Sequence, residues 1–331
     1  MGPLRHTGKH IGKRRDKCWI KLDRCDWTAS ILAAFVGYGQ MIKFFVMPPV
    51  LTVIYKAMYK EGVMSRPTII MAAPNGARKV KTDHPQLPVS IDETVAAAKA
   101  CHAEGASILH AHVRGDQDEH VLDVARYKTL LAGLREQVPD MLVQVTTEAV
   151  GIYSPQQQYD VVFGVKPDFV SVGLREMLAD DSATAHRLAK DFYHRAQAEQ
   201  IYVQHILYDA HDITRMRTAM KTGIVPAGAP HVLLVLGRYA TDFQSDPSEL
   251  APLLGDGLPD MASWSICAFG YKEYEVMMAA VAAGGHCRVG FENNMHLKDG
   301  QLAADNAALI RQLAVSVRPA TREETLQIFT A

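Results

Sequence analysis

The chain has 331 residues, of which 48% are hydrophobic, so it can bury a sizeable core as one large domain or two ordinary ones, and disorder is excluded as its default state. Its net charge of -1 conceals a basic head on an acidic body: residues 1–63 hold eleven Lys and Arg against four Asp and Glu, leaving 24 against 32 for the remainder. An acidic body excludes nucleic acid as the main partner, because neutralising phosphates needs clustered cations, and a small-molecule ligand is expected instead.

Residues 1–26 are basic and aperiodic, and residues 27–59 are mostly apolar. A membrane span needs roughly 20 uninterrupted apolar residues, whereas Lys43, Pro48-Pro49 and Lys56 break this run. We therefore read residues 1–63 as an N-terminal extension outside the fold, with a weak membrane-associated segment as the alternative. The five cysteines are odd in number and contain no Cys-x-x-Cys pair. Neither a disulfide framework nor a cysteine metal site is expected, and a reducing, cytoplasmic setting is.

The folded body, 64–331, opens with a short apolar strand, Thr68 to Ala73. A helix starts at the capping box Ser90-Ile91-Asp92-Glu93 and ends at Gly105. The strand Ile108 to Val113 follows, then a helix from Ala125 to Gln137 and the strand Leu142 to Thr147. Ser154-Pro155 supplies an N-cap with proline at the first helical position, giving a helix to about Phe163, the strand Phe169 to Val172, and a helix from Ser182 to Glu199. The second half repeats the alternation, with strands at Tyr202 to Leu207, Val232 to Leu236, Ser263 to Ala268 and Cys287 to Phe291. Helices are expected at about Asp212 to Thr222, Pro247 to Leu254, Tyr271 to Ala283 and Ala303 to Val317. Eight strands, each followed by a helix, predict a single-domain parallel (β/α)8 barrel, the TIM barrel. An open doubly wound sheet is disfavoured because no strand leads into the Gly-x-Gly-x-x-Gly turn of a dinucleotide fold.

In such a barrel the chemistry sits at the C-terminal ends of the strands. His110 and His112, two apart on the second strand, share one face and can meet a single ion. Glu292 lies after the eighth strand, which closes beside the first and so stands two places from the second, roughly 10 Å away at about 4.8 Å per step. A carboxylate there can serve as the third ligand, leaving positions open for a substrate oxygen. An ion pair with Arg288, four residues back, is compatible with that role. Asn75, Arg78, Thr146, Glu148, Ser171, Glu176, Asp209, Arg238 and Asn293 collect at the same rim.

Residues 67–331 also resemble the beta-keto acid cleavage enzyme family. The resemblance is carried by Asn75-Gly76-Ala77, His84-Pro85-x-Leu87-Pro88, the run Gly105 to Arg114, Thr146-Thr147, the run Gly284 to Asn293, Asp299-Gly300 and Asn306. It implies zinc held by His110, His112 and Glu292. It also implies a reaction in which a beta-keto acid and the cosubstrate acetyl-CoA give acetoacetate and a new acyl-CoA. Arg288 would steady a carboxylate or developing negative charge, and Thr146 matches a hydroxyl position near the metal.

The sequence departs from the family's lysine-fermenting member at two positions. Asn293 stands where that member has an aspartate, and an amide cannot take up a proton as a carboxylate does. Glu148 is the replacement base expected here, with Glu176 and Asp209 behind it. Arg78 stands where that member has a glutamate for its substrate's ammonium, so the substrate should lack an amine and can carry an anion. Asn75, Ser171, Asn293 and Arg238 are the remaining expected substrate contacts. Two other readings stay open: a metal-dependent hydrolase, drawing on Asp209 with His205 or His211, and a metal-binding protein whose catalysis has been altered. Association into a homo-oligomer through the outer helices is also expected.

Overall fold

A computed structural model describes residues 66–240, 242–255 and 263–330. The expected extension over residues 1–63 lies outside the described residues. Eight parallel strands close into a barrel in chain order: β1 Ile70–Ala72, β2 Ile108–Ala111, β3 Leu142–Thr146, β4 Phe169–Gly173, β5 Tyr202–Leu207, β6 His231–Leu236, β7 Ser263–Ala268 and β8 His286–Val289. β8 pairs with β1, and β1 with β2. The end of β8 therefore stands two strands from His110, as the spacing argument requires.

Helices α1 Ile91–Ala103, α2 Val124–Gln137, α3 Pro155–Val165, α4 Leu174–Met177, α5 Ala183–Ala198, α6 Ala210–Lys221, α7 Leu250–Gly255, α8 Glu273–Ala282, α9 Asn306–Ala314 and α10 Arg322–Thr330 surround it. Their inward faces follow helical spacing: Tyr127, Leu130, Leu131 and Leu134 in α2, and Ala189, Phe192, Tyr193 and Ala196 in α5, are buried at i, i+3, i+4 and i+7. The capping boxes at Ser90/Glu93 and Ser154/Gln157 are both formed. No helix among the described residues is long and apolar enough to cross a membrane. Cys101, Cys267 and Cys287 are free and buried.

Several elements differ from the sequence reading. β2 stops at Ala111, and Val113–Arg114 instead forms an antiparallel hairpin with His120–Val121. α9 begins only at Asn306, because the Asp305 side chain caps it by accepting from the Ala308 amide. The helix expected from Pro247 starts as a 3-10 turn, Pro247–Glu249, before α7. The short α4 and the C-terminal α10 were not anticipated. α10 brings Phe329 under the barrel, where it packs with Ile69, Met71, Ile108, Leu142 and Phe169 to form an apolar floor.

Within the barrel, side chains alternate between the axis and the helices. Above the floor the next inward positions are polar. His110, Gln144, Gln204 and Ser265 occupy a level that in most barrels is filled by branched apolar side chains.

Candidate metal centre and active-site cavity

A cavity of about 670 Å³ opens at the C-terminal ends of the strands, and His110, Thr146, Glu148, Arg288, Glu292 and Asn293 line it. At its base, His110 Nε2 and His112 Nε2 lie 3.1 Å apart, and Glu292 Oε2 lies 3.5 and 3.6 Å from them. For ligand bonds of about 2.0–2.1 Å, the edge of a tetrahedron is about 3.3 Å. The three observed edges bracket that value.

The backbone brings the carboxylate in. Gly290, at φ +150°, presses so close to Ala73 that a Cβ there would lie 2.2 Å from its carbonyl oxygen, and the Glu292 amide then bonds that oxygen at 3.1 Å. Gly76, at φ +63°, leaves the space that the Glu292 side chain fills, since a Cβ on it would lie 2.5 Å from Cγ. Lys79 locks the same junction, donating from Nζ to the carbonyls of Phe291 at 2.6 Å and Glu292 at 3.0 Å.

Hydrogen bonds define what these donors offer an ion. Arg288 donates to Glu292 Oε1 at 2.9 Å and also meets Cys267 Sγ. Glu292 Oε2, although buried, has no hydrogen-bond partner among the described residues. Burial alone would raise the Glu292 pKa, but Arg288, His110 and Lys79 outweigh it and hold the carboxyl below its ordinary value. Burial holds His110 down to about 4, despite Glu292, and pushes His112 well below its ordinary value. Two neutral imidazoles and one carboxylate therefore converge at neutral pH. That donor set suits a borderline divalent cation such as zinc. These three are the group able to hold a metal among the described residues. The ion pair and the ligand role coexist, one on each oxygen of Glu292.

The other expected site residues divide. Asn75 lines the cavity and donates to the His112 carbonyl at 3.2 Å, leaving Oδ1 unpartnered among the described residues. Asn293 is buried in the cavity wall with both amide atoms unpartnered among the described residues. Thr146 Oγ1 accepts from the Glu148 amide at 3.1 Å, and its own proton has no acceptor among the described residues. Glu148 is raised to about 7, by burial first and then by Glu292 and Glu176; Arg238, 3.9 Å away, only partly opposes this. Arg238 is half-buried at the cavity wall, and Arg78 is exposed at its mouth.

Five residues do not reach the cavity. Ser171, expected to contact substrate, is fully buried and does not line it; its carbonyl accepts from Thr147 Oγ1 at 2.9 Å. Glu176 is taken up by the Ala149 amide and Gln158, and Asp209 caps α6 and pairs with Arg175 at 2.6 Å. His205 faces outward against Tyr193 of α5, their rings 5.0 Å apart. His211 is exposed on α6.

Three buried groups around the centre escaped the sequence reading. Gln144 Oε1 lies 2.8 Å from His110 Nδ1, and Gln144 Nε2 donates to Gln204 at 3.1 Å. Gln144 has the same inward parity as Leu142 and Thr146, a signal that points to the axis. His120 Nδ1 lies 3.4 Å from His112 Nδ1. Nothing in the sequence spacing signalled His120, because the hairpin turn brings it back.

A closed parallel barrel with a two-histidine, one-carboxylate centre in a cavity at the C-terminal strand ends defines a TIM-barrel enzyme with a candidate metal site. The family profile described as beta-keto acid cleavage enzyme matches residues 67–326. The chain belongs to that family.

Relatives include the 3-keto-5-aminohexanoate cleavage enzyme of Fusobacterium nucleatum, 26% identical over 78% of this chain and 94% of its own length. The 3-oxoadipate:acetyl-CoA acetyltransferase of Cupriavidus necator is 28% identical over 76% of this chain and 88% of its own length. Among solved structures, the complex of ObcA with oxaloacetate superposes with a TM-score of 0.57 at 13% identity, covering 74% of this chain and 67% of that one, a likeness of fold.

Proposed function

We propose that this protein is a zinc-dependent enzyme that cleaves a beta-keto acid using acetyl-CoA, giving acetoacetate and a new acyl-CoA. The observation that carries this reading is the triangle of His110 Nε2, His112 Nε2 and Glu292 Oε2 at the base of a cavity, in a chain of this family. Zinc, when bound, supplies a Lewis acid that polarises the keto and carboxylate oxygens of the substrate.

The chain's own residues supply the rest. Glu148, with a carboxyl near neutrality, takes the proton from the carbon between the keto and carboxylate groups. Thr146 donates its free hydroxyl proton to a substrate oxygen, and Asn75 and Asn293 offer unpartnered amide atoms to the same molecule. Arg288 keeps Glu292 ionised and places positive charge beside the reacting carbons.

Arg78, Lys79 and Arg238 make one side of the cavity cationic. A substrate with a second anionic group is favoured there over one with an ammonium. A relative named for 3-oxoadipate, a dicarboxylate, is consistent with that choice.

The test is acetoacetate formation from dicarboxylic, neutral and amino beta-keto acids, each with and without acetyl-CoA. We expect turnover only with acetyl-CoA, fastest with a dicarboxylic acid. Turnover without acetyl-CoA would turn the assignment to the hydrolase, and no turnover to the inactive metal-binding protein. Equal or better use of the amino-keto acid would remove the assigned roles of Arg78 and Arg238. The hydrolase reading has lost its structural support, since Asp209, His205 and His211 all lie outside the cavity.

A further inference from the structure

We propose that His120 is the positioning residue that sets the polarity of the metal centre, by fixing which nitrogen of His112 is free to hold the ion. This inference rests on the metal reading of His110, His112 and Glu292.

One contact of His120 can run in only one direction. His120 Nε2 lies 2.9 Å from the backbone carbonyl oxygen of Glu148, and a carbonyl only accepts. The proton of neutral His120 is therefore on Nε2, and its Nδ1 carries a lone pair. That Nδ1 lies 3.4 Å from His112 Nδ1, so His112 donates there and leaves its own Nε2 bare. The bare Nε2 is the atom that faces His110 and Glu292.

The branch behind His110 lacks such an anchor. Gln144 passes from His110 to Gln204, and Gln204 to Ser265 at 3.4 Å. Both amides can turn over, and a serine hydroxyl can donate or accept, so this chain is satisfied in either direction. Only one direction leaves His110 Nε2 without a proton. The His120 branch cannot reverse, because it ends on a backbone oxygen. Once it fixes His112 Nε2 as a lone pair, a proton on His110 Nε2 is disfavoured wherever a cation joins the two.

Position follows from the fold. His120 is buried on the second strand of the hairpin, opposite Arg114, which itself donates to the carbonyls of Gly76 and Lys79. Its anchor is the backbone of Glu148, whose side chain lines the cavity. The relay thus ties the ligand His112 to the strand end that carries the assigned base.

The experiment uses the full-length protein and two substitutions. His120→Leu fills the space without an acceptor, and His120→Asn places Oδ1 near the position of Nδ1. Zinc affinity is measured by chelator competition, and the His112 tautomer by nitrogen-15 imidazole shifts of the metal-free protein. We expect His120→Leu to weaken zinc by about 10–100-fold, the range for such supporting partners. His120→Asn should stay within a few-fold of wild type, and wild-type His112 should be protonated on Nδ1. Unchanged affinity in His120→Leu overturns the inference, as does a loss in His120→Asn equal to that in His120→Leu. Should the leucine variant not fold, the wild-type tautomer decides: a proton on His112 Nε2 overturns it. Wild-type protein that binds no zinc overturns the metal reading, and this inference with it. Wild-type protein that binds zinc, together with unchanged affinity in His120→Leu, overturns this inference alone.

Discussion

The two ends of the barrel are built from the same strands yet obey opposite rules. At the floor, Ile69, Ile108, Leu142 and Phe169 meet Phe329 from α10 in an apolar cluster that excludes water. Two residues further along β2, β3 and β4, at the same inward parity, stand His110, Gln144 and Ser171. The floor is held by area removed from water, whereas the upper level is held by directed hydrogen bonds and carries atoms left unpartnered. Burial of apolar area can hold the floor without the polar end, so the polar end is free to keep unpartnered groups for a ligand.

The largest expected effect lies at the upper end. His112→Ala should lose stoichiometric zinc and acetoacetate formation together, measured by metal analysis and assay, while its metal-free form melts close to wild type. Full zinc in that variant would remove the site.

Glu148→Gln should lower kcat by about 10²–10⁴-fold, the usual contribution of a positioned base, with zinc content unchanged. Wild-type activity should rise with pH through about 7, because the base acts ionised, and that limb should vanish in the variant. The linkage to stability has the opposite sign. The folded state holds this proton from the ordinary value of 4.5 up to about 7, so wild type loses stability as pH rises through that window, and Glu148→Gln does not. Urea denaturation at pH 5 and pH 8 reads the difference.

Phe329→Ala inverts the comparison. It should cost about 3–5 kcal/mol of stability, as buried aromatic truncations do, while kcat per folded molecule is retained. A fall in kcat there would show that the two ends are coupled. Gly76→Ala should be the mildest change, with about 1–2 kcal/mol of left-handed backbone strain and weaker zinc binding as its Cβ displaces Glu292. Unchanged zinc affinity would mean that the carboxylate has room to move.

The barrel was readable from the chain because strand and helix periods repeat through it, and capping boxes such as Ser90/Glu93 mark helix starts by local chemistry. Element ends were less readable: β2 stops at Ala111, a boundary set by the hairpin and not by hydrophobicity. α10 went unread because its role depends on a floor formed by four distant strands. Ser171 was misplaced for a related reason. Parity shows that it points inward, but not that the cavity reached by His110 at the same level leaves it out.

The alternation, the His110/His112 pair and, through the closure of eight strands, the reach of Glu292 follow from the order of residues. Parity and strand order are enough for these, since they depend on local geometry and on counting. Three-dimensional packing was needed to show that Glu292 divides its oxygens between Arg288 and the histidines, that Glu148 is raised toward neutrality, and that His120 returns through a hairpin to within 3.4 Å of His112. Those outcomes depend on distances of a few ångströms between residues far apart in the chain, and on the burial that makes each such distance consequential.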